Sequence, residues 1–176
     1  MIFHLFRRTP EDRSIASLYG MIVAQARAPA FYQIYGVPDT VNGRMEMIIL
    51  HAVLLLRRLS GEQVPGRTVG QAIFDSFCSD MDANLREMGV GDLAVPRTMQ
   101  RIGEAFYGRQ MAYEAALAAD DRTALAEALA RNVFGAGAEA GASAARLAAY
   151  VWEAVRHLAA QDPAALRSGE VGFPEP

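Results

Sequence analysis

The stretch MEMIILHAVLLLRRL, residues 45–59, carries apolar side chains around almost the whole circumference of a helix, and few places in a fold can hold such a helix. Met45, Ile48, Ile49, Ala52, Leu56 and Leu59 form one stripe, while Met47, Leu50, Val53 and Leu54 cover much of the opposite face. The helix is therefore either enclosed by neighbours or displays a hydrophobic surface to a partner. Glu46 and His51 interrupt it, and it falls short of the roughly 20 apolar residues that span a bilayer.

Apolar residues recur at helical spacing along most of the chain and strand signals are scarce, so the expected fold is all-α. The pattern predicts a compact single-domain bundle of about six main helices over residues 1–161 and a partly disordered C-terminal tail over 162–176. The first helix opens at Thr9, with Pro10 at the first helical position and Asp12 three residues after the cap, and runs to about Ala28 before Pro29. A short piece, AFYQIYG, follows. Asp39 or Thr40 caps the next helix, which continues to Leu59 and stops at Gly61; Thr68 and Gln71 have capping-box spacing for a helix that runs to Met88. Further helices are expected over Pro96–Ala119, DRTALAEALARNVF and ASAARLAAYVWEAVRHLAAQ, with GAGAEAGAS, residues 135–143, as a linker.

Charge narrows the function classes. Net charge is −3, which leaves no broad basic field for nucleic acid. All 17 basic residues are arginine, a sign of GC-rich coding, and a bacterial source is expected. Cys78 is the single cysteine, so neither an internal disulfide nor a thiolate metal site can form within one chain. The opening MIFHLFRR has its apolar residues before its arginines, the reverse of a signal peptide. The protein is expected in the cytoplasm, with peripheral contact at the cytoplasmic face of the inner membrane at most.

SDMDANLREMGVGD, residues 79–92, concentrates carboxylates in one helix. Phe74, Phe77, Cys78, Met81, Leu85 and Met88 share its apolar stripe, with Asp75, Asp82 and Arg86 on one flank and Asp80 and Glu87 on the other. Carboxylates split in this way do not converge as general acid/base chemistry requires, and Asp82 and Arg86 have ion-pair spacing. Gly89 ends the helix and Asp92 is placed to accept backbone N–H groups beyond the corner. The next helix carries Val95, Met99, Ile102, Phe106, Tyr113 and Leu117 on a second stripe, which should meet the first across the corner. Gly103 permits close packing, and the helix-interior cost of Gly108 demands a close neighbour. His4, His51 and His157 lack metal-ligand spacing, and His51 reads as half-exposed at a stripe edge. No metal or cofactor is expected.

LYGMIVAQARAPAFY, GVPDTVNGRMEMIILHAVLLLRRL, FDSFCSDMDANLREMGVGD and AFYGRQMAYEAAL together resemble the ubiquinol-cytochrome c chaperone family over roughly residues 14–134. MDANLREMGVGD and AFYGRQMAY are the most specific blocks. The resemblance implies an all-helical, non-enzymatic assembly factor for the cytochrome bc1 complex that attends newly made cytochrome b, in mitochondrial relatives with a small second assembly factor at the ribosomal tunnel exit. Asp82, Arg86, Asp92, Arg101, Tyr107 and Arg109 lie in the family-like blocks and, with Met47, Leu50 and Leu54, are candidates for the partner-binding surface. Methionines at 45, 47, 81, 88, 99 and 111 suit an adaptable apolar contact. On this expectation Leu50→Asp weakens partner binding without unfolding the protein. A helical carrier of a small apolar ligand such as quinone, haem or lipid, and an enzyme with an unmotifed helical pocket, are the competing classes.

Overall fold

Thr9 starts the first helix with a reciprocal cap: its hydroxyl accepts from the Asp12 N–H at 3.1 Å and the Asp12 carboxylate accepts from the Thr9 N–H at 2.9 Å. The computed structural model describes residues 9–60, 66–135 and 140–176. Its helices are α1 (Pro10–Ala26), α2 (Pro29–Gln33), α3 (Val41–Ser60), α4 (Gly66–Glu87), α5 (Val95–Ala118), α6 (Arg122–Leu129), α7 (Ala140–Ala159) and α8 (Pro163–Ser168). A π-helical turn, Ala130–Phe134, continues α6. The described residues contain no strand, so the protein is all-α, with α1 and α3–α7 as its main helices.

Local chemistry resolves several boundaries. Thr40, not Asp39, caps α3, its hydroxyl accepting from the Gly43 N–H, while Asp39 pairs with Arg44. α4 is already under way at Gly66, two residues before the expected start at Thr68, and Gln71 donates forward to Asp75. Residues 140–143, assigned from sequence to a linker, form the first turn of α7. Gly61 and residues 136–139 lie outside the described residues, as do MIFHLFRR and His4.

The all-round apolar helix is enclosed. α3 packs against α1, α4, α5, α7 and the π turn, and every residue from Glu46 to Leu55 is buried. Met47, Leu50 and Leu54, candidates for the partner-binding surface, are therefore buried in the core. Burying both faces of the 46–55 stretch removes nearly all of its side-chain area from water, at roughly 25 cal/mol per Å² of apolar surface.

Enclosure also traps two polar residues, and each is satisfied. Glu46 receives Arg109 of α5 in a two-pronged contact, Nε to Oε2 at 3.0 Å and Nη2 to Oε1 at 2.7 Å. His51, expected at a half-exposed edge, is fully buried because α7 and the chain's end close over it. Its Nδ1 lies 2.8 Å from the Met47 carbonyl, which can only accept, so Nδ1 carries the proton and Nε2 accepts from the Tyr150 hydroxyl at 2.9 Å. Gln25 donates to that hydroxyl at 3.0 Å and to the Pro174 carbonyl at 2.8 Å.

The segment beyond Asp162, which its Pro and Gly content marked as a frayed tail, is folded against the bundle. Leu166 and Val171 are buried, the Phe173 ring meets His51 at 5.1 Å, and Gln161 exchanges hydrogen bonds with both backbone groups of Gly172. Gly169 makes the turn at φ +91, and a Cβ there would lie 2.8 Å from the Ser14 Cα of α1. Sequence periodicity is silent here because single anchoring residues, not a repeating stripe, attach the segment.

Burial lowers the His51 pKa from 6.5 to about 4. The unfolded chain then binds a proton that the folded protein refuses, so this contribution is complete above about pH 6.5 and is lost as pH falls towards about 4, by about 3 kcal/mol in all. Thermal melts of wild type across that window are expected to show a steeper acid loss than those of His51→Gln; parallel curves would show that His51 is hydrated in the folded state.

Candidate functional site

The α4–α5 corner gathers part of the predicted surface. Gly89 at φ +81 ends α4, its N–H bonded to the Arg86 carbonyl. Arg86 then bridges two acids, Nε to Asp82 at 2.6 Å and Nη1 to Asp92 at 2.6 Å. Asp92 was expected to accept backbone N–H groups; it accepts from Arg86 because the corner folds the loop back over α4. Arg86 holds the Asp82 carboxyl below its ordinary range. The cluster is exposed and faces water, as does neighbouring Leu93 at 99% exposure. Asp80 has a different job: it accepts from the Tyr19 hydroxyl at 2.9 Å and ties α4 to α1.

Across the corner the two stripes meet, with Phe106 of α5 at 4.9 Å from Phe74 and 5.1 Å from Phe77. Tyr107 lies on Phe74 at 5.2 Å yet remains half exposed, and Met111 one turn on is 74% exposed. Nothing lies within 4 Å of the position a Cβ would occupy at Gly103 or Gly108. The close neighbours that both glycines were expected to admit are therefore not supplied by the described residues. Arg101 is exposed on the same helix, whereas Arg109 turns inward to Glu46. The structure thus brings Asp82, Arg86 and Asp92 together, places Tyr107 and Arg101 outward on α5, turns a quarter-exposed Arg109 inward to Glu46, and buries Met47, Leu50 and Leu54.

A groove lies between α3 and the end of α4. Val41, Met45 and Ile48 of α3 face Met81 and Leu85 of α4 and Met88 just beyond its end, each set at i, i+4, i+7 spacing, around a cavity of about 200 Å³. Arg27 and Arg44 stand at its rim and also line a second, more polar cavity of about 310 Å³ with Tyr32, Gln33 and Asp39. The apolar cavity is smaller than the roughly 300–1,000 Å³ that enclose a drug-sized ligand, so it can take the end of an apolar chain but not a whole quinone or haem. Sequence reasoning assigned Met45, Met81 and Met88 to core stripes; Met88 is half exposed because the stripes separate at their ends. The signal was present in the methionine pattern, but the helix spacing was not.

The rest of the chemistry is quiet. Cys78 is half-buried and burial pushes its thiol pKa up, away from nucleophilic use. Among the described residues no three His, Cys, Asp or Glu side chains could share a metal ion, and no helix is long and apolar enough to cross a membrane.

The profile of the Ubiquinol-cytochrome C chaperone family matches residues 33–173. The chain belongs to this family. It is 28% identical over 116 residues to ubiquinol-cytochrome-c reductase complex assembly factor 1 of Xenopus laevis, covering 66% of this chain and 58% of that protein. The corresponding mouse protein is 26% identical over 141 residues, 80% of this chain and 48% of its own length. The chain thus spans about half the length of the curated relatives it matches. The crystal structure of the Cbp3 homolog from Brucella abortus superposes with a TM-score of 0.86 at 40% identity, covering 99% of this chain and 97% of that one. The α4–α5 corner and the walls of the groove on α3 and α4 lie inside the matched region, whereas Arg27 at the groove's rim precedes it.

Proposed function

We propose that this protein is an assembly chaperone for the cytochrome bc1 complex and that its client is newly made cytochrome b. The observation that carries the reading is the family match across residues 33–173. A multispanning client presents apolar helices flanked by basic loops. The outer face of α5 suits the first feature: Tyr107 and Met111 are exposed apolar anchors, and Gly108 between them lets another helix come close to the backbone. Gly108 costs about 1 kcal/mol in a helix interior relative to alanine, and a docked client helix offsets that cost. Asp82 and Asp92 at the corner suit the second feature, with Arg86 holding them in place.

The protein works on this reading by binding, with no catalytic step and no cofactor. It acts at the cytoplasmic face of the membrane that receives the client, with a second assembly factor as a further partner. Deleting the gene is expected to lower cytochrome b and bc1 activity while sparing complexes that lack cytochrome b; normal bc1 assembly in the deletion strain would remove the proposal. A tagged copy should retrieve cytochrome b from detergent-solubilised membranes, and Met111→Asp should lower that recovery about tenfold, a loss of about 1.4 kcal/mol, without changing the melting temperature.

A further inference from the structure

The groove and the polar cavity beside it share Arg27 and Arg44, so anything that occupies both must be apolar at one end and accept hydrogen bonds at the other. Arg27 has no ion-pair partner among the described residues. Arg44 contacts Asp39 through Nε alone, at 2.7 Å, leaving its two terminal nitrogens for a ligand. Asp39 is the one carboxylate in the polar cavity, and its contact with Arg44 keeps it ionised and already matched. The Tyr32 hydroxyl is committed to the Ala26 carbonyl at 2.7 Å, so the arginines dominate recognition there. Two guanidinium groups on one rim select an anion, and phosphate oxygens match their planar donors.

The apolar side narrows the class further. Val41 and Met88 remain exposed at the mouth of the groove, and Leu93 projects fully from the corner that follows Met88. Free phosphate gives such residues nothing to contact. The walls are helix flanks whose backbone groups are bonded within the helices, so an extended peptide finds no main-chain partners. A cavity of about 200 Å³ is also too short for the several successive anchors of a docked helix. A flexible hydrocarbon end suits it, and methionines adapt to such an end.

We propose that this face binds an anionic phospholipid at the membrane surface, its phosphate held between Arg27 and Arg44 and the near part of one acyl chain lying among Met45, Met81 and Met88. The site uses side chains other than the proposed client anchors Tyr107 and Met111, although Ile102 of α5 also lines the groove, and its residues are not those of the amino-terminal MIFHLFRR.

Flotation of the purified full chain with vesicles tests it. Wild type should float with phosphatidylcholine vesicles containing phosphatidylglycerol, not with phosphatidylcholine alone, and less as salt rises. Each interfacial arginine contributes about fivefold, so Arg27→Gln/Arg44→Gln should lower partitioning about twenty-five-fold. Met88→Asp should also release the protein, because it blocks the acyl chain and leaves the arginines in place. Arg156→Gln on α7, the same kind of charge change elsewhere, should leave flotation near wild type. All these side chains are exposed, and unchanged thermal melts confirm that the variants fold. No binding to anionic vesicles would overturn the proposal. So would release by inorganic phosphate at matched headgroup concentration, or preferential displacement by an acidic apolar peptide. Loss of flotation in Phe3→Ser/Phe6→Ser, with Arg27→Gln/Arg44→Gln unaffected, would assign membrane contact to the amino-terminal segment and overturn it as well.

Discussion

Arg109→Ala is expected to destabilise the protein by about 3–5 kcal/mol, the cost of leaving a buried charge without its partner. Glu46 is completely buried on α3, and Arg109 donates to both of its carboxylate oxygens, from a side chain that itself keeps only 25% of its exposure. The double variant Glu46→Met/Arg109→Met should recover most of the loss, because a well-packed apolar pair often matches a buried ion pair. Urea unfolding with an unchanged m-value measures both. Wild-type stability in Arg109→Ala would mean that the Glu46 carboxylate reaches water once the guanidinium is removed. Since Arg109 stood among the candidates for partner recognition, any loss of function in this variant should track the amount of folded protein.

Leu50→Asp is expected to abolish cooperative folding. Leu50 is fully buried in the middle of α3, a helix enclosed on all sides, so the new carboxylate has no route to water. An isolated buried charge costs more than most of the 5–15 kcal/mol that holds a domain together. Leu50→Ala separates cavity from charge and should cost about 2–5 kcal/mol, with Met47→Ala and Leu54→Ala in the same range. The check is a thermal melt followed by circular dichroism; a sigmoidal transition near that of wild type in Leu50→Asp would contradict the enclosure of α3. The expectation that this variant spares the fold fails for the same reason that the helix is buried.

Helices, capping and the stripes that join α4 to α5 were legible in the chain itself, because hydrophobic spacing and cap residues act over a few positions. Thr9 with Asp12, Gly89 at the corner, and the meeting of Phe74 and Phe77 with Phe106 are all local or near-neighbour relations. The family was legible too, in blocks of sequence that tertiary reasoning never touches. Tertiary structure alone decided which all-round apolar helix sits at the centre, since enclosure of α3 depends on four other helices whose placement no short window encodes. It decided that Glu46 and Arg109 meet across 63 positions, and that His51, Tyr150, Gln25 and Pro174 share one chain of hydrogen bonds. It also decided that the ends of two core stripes part to leave a groove rimmed by Arg27 and Arg44. Periodicity specifies which face of a helix is apolar; where two such faces close and where they diverge follows from helix crossing, set by packing of the whole chain.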